Sequence, residues 1–565
     1  KFSKSFDPAK PSLENVNAIC HVQVLPKAPV YLGTRMGRPE KARERKMAPP
    51  IHVLFPIGAM NKNRSVLRAW EKMRNDERKE GRGLEVEVAR LKCTSCGKIN
   101  YSITCAYCGS ACAWQRVCGQ CGRSSAEETC AVCKGHAHFY EKRSIDFVRA
   151  VETARTRLNI QTMPDLKGVQ GMISDYKIPE LLEKGILRAK HDLTIFRDST
   201  CRFDATNMPL THFTPREVQV APERLRELGY THDIEGKPLR GPDQILALKV
   251  QDVILAEEGR AFFFKVTQYI DDLLVNVYQM RPYYKLKSPN DLVGQLTIGL
   301  SPHTSAGVLS RIIGFTKAHV GYAHPYFHCA KRRNTDGDED CLMLMMDALL
   351  NFSRRFLPAS RGGTMDAPLV LTTRIDPTEV DDEVHSMEAV SVYPLAFYEA
   401  CAQFASPSDF PMPTVKQILG TPAQYEDLHY THAVRAIDEG PLMTAYISLE
   451  KKMTAKVAVE FALEDKIRAV DPADVALRVL LSHFLPDMYG NLRSFSRQMF
   501  RCTDCNTKYR RVPLVGHCNR CSGKLQLTIY KGGIEKYLQP SRDLVERYHL
   551  PAYMKQRLEL IQKDI

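Results

Sequence analysis

Metal-binding chemistry is concentrated in one short stretch of the sequence, residues 331–340 (KRRNTDGDED). Four of its amide and carboxylate side chains would share one face of an extended chain: Asn334, Asp336, Asp338 and Asp340. Gly337 allows the backbone to bend and bring the carboxylates on either side together. Mg²⁺ prefers oxygen ligands and often completes its coordination with water and substrate phosphate. The pattern therefore predicts a metal-dependent phosphoryl- or nucleotidyl-transfer site.

The three cations that precede the carboxylates, Lys331, Arg332 and Arg333, could hold the phosphates of a substrate. The alternative is a solvated acidic loop, because a single Asp-x-Asp pattern is weak support for a metal site. A calcium loop of the EF-hand type is excluded, since its sixth position requires glycine and this chain has Cys341 there. The residue types alone leave the catalytic site and the solvated loop equally open.

A second charged stretch, residues 34–46, contains six cations and two acids. It could present Arg38 and Lys41 to phosphates, or it could be a solvated basic loop. Arg361, in a glycine-rich turn before the predicted strand Leu369–Thr373, is a further candidate phosphate contact. The sequence alone does not distinguish a phosphate contact from a solvated loop residue for any of these cations.

Twelve of the 18 cysteines form six Cys-x-x-Cys pairs. The pairs make three sets of four: Cys93, Cys96, Cys105 and Cys108; Cys118, Cys121, Cys130 and Cys133; and Cys502, Cys505, Cys518 and Cys521. The second set repeats the first after 25 residues, which indicates a duplicated module. Four thiolates with this spacing predict structural, tetrahedral Zn²⁺ sites. Cations surround the third set, so it could bind nucleic acid or dock an acidic subunit.

The 565 residues, a net charge of +14 and an apolar fraction of 44% predict three to five domains and a polyanionic partner, nucleic acid or an acidic protein. Paired cysteines in a large charged chain indicate an intracellular zinc protein. We find no run long enough to span a membrane and no signal peptide. Because the sequence starts without methionine, we expect a piece of a longer protein.

Hydrophobic periodicity predicts the elements that position these residues. The helices are expected at Asp146–Leu158, Ile178–Lys184, Ala306–Ile313, Cys341–Phe356 and from Pro551 onward, with Phe262–Met280 in a helical core element. The strands are expected at Leu84–Val88, Leu292–Leu300 and Leu369–Thr373. The helix Cys341–Phe356 would fix the acidic stretch against a core.

Taken together, these motifs resemble the large catalytic subunit of archaeal D-family DNA polymerase. The resemblance runs over nearly the whole chain and would cover about the C-terminal half of the family's length. It rests on five features in the family's order: residues 34–42 (TRMGRPEKA), the duplicated zinc modules, residues 324–328 (HPYFH), residues 331–340, and residues 357–368 (LPASRGGTMDAP).

The resemblance implies an α+β multidomain fold with two double-psi β-barrels forming the catalytic core, helical connectors and three four-cysteine zinc modules. The first barrel would occupy residues 1–92, with the basic loop, and return within the helical insert at 141–215. Tandem zinc modules would fill 93–140 and a helical connector 216–290. The second barrel, with the catalytic aspartate loop, would span 291–420. A mostly helical connector (421–495), the third zinc ribbon (496–531) and a helical segment (532–565) would follow.

The resemblance also implies the site residues. Asn334, Asp336 and Asp338 would hold two catalytic Mg²⁺ ions, with Arg38 and Lys41 as the catalytic basic pair. Five cations would bind substrate phosphates: Arg35, Lys331, Arg332, Arg333 and Arg361. The three cysteine sets would hold three structural Zn²⁺ ions.

The implied activity is DNA-directed DNA synthesis from dNTPs on primer–template DNA during replication. The implied partners are a small proofreading exonuclease subunit, which forms a heterodimer with this subunit, a sliding clamp and a primase. No association with a membrane is implied. The clamp-binding motif that many members carry at the extreme C-terminus is missing from this sequence. The location would be the archaeal cytoplasm, at the nucleoid.

Three other functions fit the same residues. An RNA-synthesising double-psi barrel polymerase differs in its choice of sugar. A non-catalytic zinc-ribbon scaffold that binds nucleic acid would lack a divalent cation at Asp336 and Asp338. A protein-docking platform is suggested by the nearly balanced charges between Cys93 and Cys133.

Overall fold

The computed structural model describes residues 6–10, 12–19, 40–58, 63–75, 83–390, 393–425, 428, 437–438, 453–467, 470–503, 507–520, 522–527, 529 and 531–564. The chain divides into two compact units, Lys1–Met443 and Thr444–Ile565. Within the described ranges, each helix is too short or too polar to cross a membrane.

The first unit contains most of the strands. They are β1 (Ala42–Glu44), β2 (Gly83–Ala89), β3 (Leu91–Cys93), β4 (Ile99–Asn100), β5 (Cys112–Trp114), β6 (Arg116–Cys118), β7 (Ser124–Ser125), β8 (Ala137–His138), β9 (Tyr140–Asp146), β10 (Phe203–Pro209), β11 (His212–Phe213), β12 (Leu246–Ala247), β13 (Asp252–Ala256), β14 (Leu296–Leu300), β15 (Ala306–Thr316), β16 (Val320–Ala323), β17 (Glu339–Leu344) and β18 (Val370–Thr372).

The helices of this unit are Ser12–Ile19, Val66–Arg74, Phe147–Arg157, Leu182–Lys190, Pro222–Glu227, Glu257–Asn276, Pro325–Ala330, Met345–Asn351, Arg361–Thr364, Leu395–Ala402 and Val415–Ile418. Short 3₁₀ turns lie at Pro289–Leu292, Arg354–Phe356, Val384–Ser386, Pro407–Asp409 and Pro422–Gln424.

Six strands close into a barrel in the order β10-β16-β13-β15-β14-β17, because β17 pairs back onto β10. The pairs β10–β16 and β13–β15 are parallel, and the other four are antiparallel. β1 extends the sheet along β10, with Ala42 opposite Ala205. The basic segment and the strand that follows the acidic loop therefore lie on either side of the same strand, β10.

The barrel core explains why these runs form strands and helices where they do. All five residues of β13 are buried, as expected for a strand covered on both faces. The Glu257–Asn276 helix begins directly after β13, and its Phe263 and Ile270 are fully buried in the same core as Phe203. Burial of a side chain of this size contributes about 1.5–3 kcal/mol, so the core fixes β10 and β13 rigidly.

The two cysteine modules form an insertion between β2 and β9, which pair along their full length from Gly83 opposite Asp146 to Ala89 opposite Tyr140. Each module is a small three-stranded sheet, β4-β3-β5 and β7-β6-β8. The predicted strand Leu84–Val88 is confirmed within β2, since its residues alternate between buried and exposed.

Several sequence-based expectations are confirmed, and four are wrong in type or in bounds. The helix at 146–158, the strand at 369–373 and the helix after Pro551 are confirmed. Residues 306–313 form a strand, not a helix, and a Cβ on Gly307 would lie 2.6 Å from Ile298 Cγ2 of the neighbouring strand. This close approach requires glycine in β15, which periodicity alone does not reveal.

The predicted helix Cys341–Phe356 is wrong in its first part, because β17 continues to Leu344 and the helix begins at Met345. The predicted helix Ile178–Lys184 instead spans Leu182–Lys190. Gly185 does not end it: a Cβ there would lie 2.6 Å from Val53 Cβ, so the glycine allows close packing within the helix. The predicted strand Leu292–Leu300 begins at Leu296, after a 3₁₀ turn.

The second unit has its own core, with Phe484, Met488, Tyr537 and Ile561 buried. Its helices are Met453–Glu464, Pro472–Val479, Leu485–Arg497, Lys531–Glu535, Leu538–Arg547 and Ala552–Asp564, with one π turn at Leu480–Phe484. A small sheet joins β19 (Phe500–Cys502), β20 (Lys508–Tyr509) and β21 (Leu525–Gln526).

The mixed α+β class is confirmed. One closed six-stranded barrel is present in the described ranges, and it combines β10 and β13 with four strands of the 291–420 segment, β14–β17. The predicted pair of double-psi barrels is not seen in those ranges, and the predicted domain boundaries stay predictions.

Candidate functional site

The acidic loop comprises residues 331–338, between the Pro325–Ala330 helix and β17. The expected extended conformation is wrong for these residues, because strand geometry begins only at Glu339. The expected bend is confirmed, since Gly337 has a φ of 105° that only glycine adopts readily. Asn334 and Asp336 are exposed, whereas Asp338 is half-buried.

Two contacts fix Asp338 at the end of the loop. Its backbone carbonyl accepts a hydrogen bond from the N–H of Asn207, in β10, at 2.9 Å. Its carboxylate lies 3.3 Å from Nε of Arg333. Asp336 interacts electrostatically with Glu383, whose pKa is raised by burial and by the nearby charges of Asp381 and Asp336. The loop thus presents one anchored and one solvated carboxylate.

Lys41 lies against Glu339, the residue that directly follows this loop, although 298 residues separate the two in sequence. Its ammonium is 2.5 Å from the Glu339 carboxylate and 3.2 Å from that of Asp204. Its backbone N–H donates to Thr206 Oγ1 at 2.8 Å, and its carbonyl accepts from the Thr206 N–H at 2.8 Å. The sheet therefore brings the upstream basic segment and the acidic loop together.

Asp204 and Glu339 were not among the predicted site residues. Burial raises the pKa of Asp204, and Arg45 and Lys41 oppose this effect. The sequence around Asp204 contains no motif that marks it as a site residue. Glu339, in contrast, lies within the acidic stretch itself. The contact with Lys41 becomes apparent only from the β1–β10–β17 pairing.

A cleft of about 810 Å³ opens beside Lys41 and is bounded by both signs of charge. Its cationic lining residues are Lys41, Arg43, Arg45, Lys46 and Lys265. Its acidic lining residues are Glu44, Asp192, Asp204, Glu258 and Glu339. Phe203 and Phe262 also border the cleft, but both are buried in the barrel core. The cleft therefore offers cations and carboxylates to a polar ligand.

The remaining predicted phosphate contacts differ in their surroundings. Arg332 is exposed and Arg361 is exposed at the start of its short helix. Arg333 is half-buried against Asp338. Lys331 is only 3% exposed and pairs with Asp340. Arg35 and Arg38 lie outside the described residues, so their predicted roles stay predictions.

The two histidines beside the loop are buried within the protein. His324 Nδ1 accepts from the Tyr326 N–H at 3.1 Å and so caps the Pro325–Ala330 helix. Burial lowers the pKa of His324 and of His328 to about 3. Neutral imidazoles with structural partners do not serve as phosphate-binding cations at neutral pH.

The acidic loop has the donor chemistry of a Mg²⁺ site. Mg²⁺ characteristically takes one or two protein carboxylates and leaves other positions to water and phosphate. Asp336 and Asp338 supply two carboxylates on either side of a bend, with the Asn334 amide oxygen in the same loop. Among the described residues, clusters of three or more ligand-type side chains within 4.8 Å are found at the cysteines and not here. The loop fits a site completed by substrate.

The two cysteine sets at 93–108 and 118–133 are each converged within 4.8 Å. The Sγ–Sγ distances are 3.5 Å for Cys93–Cys108, 3.6 Å for Cys96–Cys105, 3.3 Å for Cys118–Cys133 and 3.7 Å for Cys121–Cys130. A tetrahedral zinc with Zn–S bonds of about 2.3 Å places sulfurs about 3.8 Å apart. Both sets can therefore hold a metal ion.

Backbone N–H groups close to these thiols favour the thiolate form, which is the form that binds a metal. The N–H groups of Cys121 and Gln120 lower the pKa of Cys118 to about 6. In the third set, Cys502 and Cys518 are buried, while Cys505 and Cys521 lie outside the described residues. The third predicted zinc site therefore stays a prediction.

Comparison with known families accounts for this combination of loop, barrel and modules. The description "DNA polymerase II large subunit DP2, catalytic domain" matches residues 159–456, more than half of the chain. The chain belongs to the DNA polymerase II large subunit family. The description "DNA polymerase II large subunit DP2, central domain" matches residues 1–127. The catalytic match contains β10 and the acidic loop, and the central match contains Lys41 and the first cysteine set.

Curated relatives named DNA polymerase II large subunit are similar along nearly the whole chain. The protein of Archaeoglobus fulgidus is 50% identical over 98% of this chain and 49% of its own length. That of Pyrococcus furiosus is 49% identical over 95% of this chain and 42% of its own length. That of Methanothermobacter thermautotrophicus is 47% identical over 100% of this chain and 49% of its own length. The chain spans about half the length of these relatives.

Proposed function

We propose that this chain carries the catalytic centre of a DNA-directed DNA polymerase that extends a primer 3′-hydroxyl with dNTPs. The observation that supports this proposal best is the contact of Lys41 with Glu339 and Asp204. It places a cation of the central-domain match beside Glu339, the residue that directly follows the acidic loop of the catalytic-domain match. A cation close to a metal-binding loop can stabilise the charge that develops on transferred phosphates.

Asp336 and Asp338, with Asn334, would hold the catalytic Mg²⁺, and we propose two such ions. When bound, they supply activation of the attacking oxygen and stabilisation of the leaving pyrophosphate. Lys41, together with Arg38, neutralises charge on the phosphates of the incoming nucleotide. Asp204 and Glu339 hold the Lys41 ammonium in place.

Substrate phosphates would also be bound by the exposed Arg332 and Arg361 and by the half-buried Arg333. Arg35, outside the described residues, is proposed for the same role from the resemblance alone. Base pairing reads the template, so the protein needs contacts to phosphates more than to bases. The mixed charges of the cleft beside Lys41 suit the phosphates and the sugar hydroxyls of a nucleotide. Lys331, whose ammonium is buried, is considered separately below.

The remaining finer assignments rest on the resemblance. We propose that the six-stranded barrel is one of two double-psi barrels, and that three four-cysteine sets hold Zn²⁺. The partner would be a small proofreading exonuclease subunit in a heterodimer, with a primase as a further contact. Replication by an archaeal enzyme places the complex in the cytoplasm, at the nucleoid.

The test is templated primer extension by the chain with and without its partner subunit, in Mg²⁺, with dNTPs or rNTPs. We expect template-dependent incorporation of dNTPs in preference to rNTPs. The Asp336→Ala/Asp338→Ala double variant controls for contaminating polymerases and should be inactive. Preference for rNTPs would favour an RNA-synthesising enzyme, and equal activity of the double variant would contradict the assignment of the loop.

A further inference from the structure

The acidic loop begins at Lys331 and is followed closely by Asp340, and these two side chains form a buried ion pair. Lys331 is 3% exposed and Asp340 is 1% exposed. Lys331 ends the Pro325–Ala330 helix, and Asp340 is the second residue of β17. The pair therefore joins the two ends of the segment that carries Asn334, Asp336 and Asp338.

Both partners are held by further contacts outside the loop. Ser301, directly after β14, donates from its hydroxyl to Asp340 Oδ1 at 2.6 Å. The ammonium of Lys331 lies 4.3 Å from the centre of the Phe327 ring. Both side chains of the pair are therefore held by neighbours outside residues 332–338.

The barrel also leaves space for the stem of Lys331. A Cβ on Gly299, in β14, would lie 3.2 Å from Lys331 Cδ and 2.8 Å from Phe327 Cζ. Any larger residue at this position would push Lys331 or Phe327 away. Gly299, Ser301 and Asp340 therefore form a receptacle for one lysine, built from β14 and β17.

We propose that Lys331 is a positioning residue, whose buried pair with Asp340 fixes the ends of the acidic loop and so sets the spacing of Asp336 and Asp338. This role replaces the phosphate contact expected from the sequence. The inference rests on the proposed function, since it assigns the loop as the divalent-metal site. The physical reason is that a solvated loop with few internal contacts keeps its ligands in place only if its ends are fixed.

The test neutralises the pair without leaving a buried charge, in Lys331→Met/Asp340→Asn. Replacing both partners avoids the large penalty of an uncompensated buried carboxylate. Mn²⁺ binding is measured by the loss of the free-ion electron paramagnetic resonance signal, without nucleotide or DNA, and thermal unfolding is measured in parallel. The Asp336→Ala/Asp338→Ala variant defines the Mn²⁺ bound at the loop.

We expect the neutralised variant to fold and to bind Mn²⁺ at the loop about 10- to 100-fold more weakly, as for other residues that orient metal ligands. The midpoint Mg²⁺ concentration for dNTP incorporation should rise by a similar factor. The matched control is Arg188→Met/Glu180→Gln, which neutralises another buried pair, 2.8 Å apart and away from the loop. It should leave the Mn²⁺ affinity unchanged.

A folded Lys331→Met/Asp340→Asn protein with wild-type Mn²⁺ affinity overturns the inference. If that protein does not fold, Gly299→Ala is used instead, because its Cβ would lie 3.2 Å from Lys331 Cδ and disturb the pair without removing either charge. Unchanged Mn²⁺ affinity in that folded variant would overturn the inference. Failure of the proposed function looks different. In that case wild-type protein and Asp336→Ala/Asp338→Ala bind Mn²⁺ equally, or wild-type protein binds the ion but incorporates no nucleotide.

Discussion

The cysteine modules and the acidic loop are both candidate metal sites, and they are built in opposite ways. In each module four thiols already lie within 4.8 Å, held by small sheets on either side. In the loop, Asp336 is exposed and only the ends are tied to the barrel. A structural site supplies all ligands from the protein, whereas a catalytic site leaves positions for water and substrate.

The two kinds of site therefore differ in what holds their ligand residues in place. We expect the modules to depend on a bound metal for their stability, because the strands β3–β8 are only two or three residues long. The loop is held by the barrel through contacts at or next to its ends, which involve Lys41, Asn207 and Lys331. Removal of ligands should therefore affect stability in the modules and activity in the loop.

The largest effect is expected for Asp336→Asn and Asp338→Asn, tested singly. Each should lower dNTP incorporation by about a thousandfold or more, because several kcal/mol of transition-state charge stabilisation are lost. The melting temperature should stay the same, since Asp336 is exposed and Asp338 half-buried. Steady-state primer extension and thermal unfolding measure the two quantities. The control is Asp382→Asn, a nearby exposed carboxylate; if it loses as much activity, the loop has no special role.

The reverse pattern is expected for Cys118→Ser. Loss of one thiolate should remove one bound zinc per chain and unfold residues 116–138, because zinc supplies on the order of 10 kcal/mol to small modules of this kind. Elemental analysis and limited proteolysis report the two effects. Cys112→Ser, outside both sets, should retain the zinc. Loss of Mn²⁺ binding at the acidic loop in the Cys118 variant would show that the two sites are not independent.

A mixed effect is expected for Lys41→Met, because Lys41 contacts both Asp204 and Glu339. The variant should lose about 1–3 kcal/mol of unfolding free energy, since Asp204 is buried and loses a partner. Lys41 opposes the burial-driven rise in the pKa of Asp204. The deficit should therefore be present at neutral pH, where the carboxylate is charged, and should disappear in acid as it is protonated.

Urea unfolding at several pH values measures that deficit, and the KM for dNTP should rise as well. Lys46→Met is the control, because the Lys46 side chain is half-exposed, although its partner at 2.8 Å, the Glu44 carboxylate, is mostly buried. It should change stability by less than about 1 kcal/mol. Equal losses in both variants would argue against a special role for Lys41.

The smallest effect is expected for Arg355→Ala. The Arg355 guanidinium lies 4.8 Å from the Trp114 ring centre and 5.5 Å from that of Tyr176, so it connects the first cysteine module to the segment after the loop's strand. Loss of these contacts at an exposed position should cost about 0.5–1 kcal/mol. Thermal unfolding of Arg355→Ala and of its exposed neighbour Arg354→Ala measures this cost, and equal melting temperatures would contradict it.

The same contrast explains what the sequence could predict. Cysteine spacing identified both converged sets in full, because a tetrahedral thiolate site is encoded by local spacing. The chemistry of the acidic loop was also visible, but not its conformation, since Gly337 bends it and β17 begins only at Glu339. The partners that matter most, Asp204 and Asn207, come from a strand more than 120 residues away.

Two other errors have a common cause. β15 and the start of β17 were expected to be helical because short apolar runs are ambiguous between helix and buried strand. Both runs are strands in the structure because β14 pairs with β15 on one side and with β17 on the other, which closes the barrel.

Lys331 was expected to bind a phosphate because lysine is rarely buried. Its burial becomes apparent only in the structure, where Gly299 leaves space for its side chain.

The most direct test of this account is the anomalous scattering of Mn²⁺ in crystals of the chain soaked with Mn²⁺ and a nucleotide. The account predicts a peak bounded by the carboxylates of Asp336 and Asp338 and by the nucleotide phosphates, separate from zinc peaks at the two converged cysteine sets. A nucleotide bound with its phosphates elsewhere, and no Mn²⁺ at Asp336 and Asp338, would contradict it.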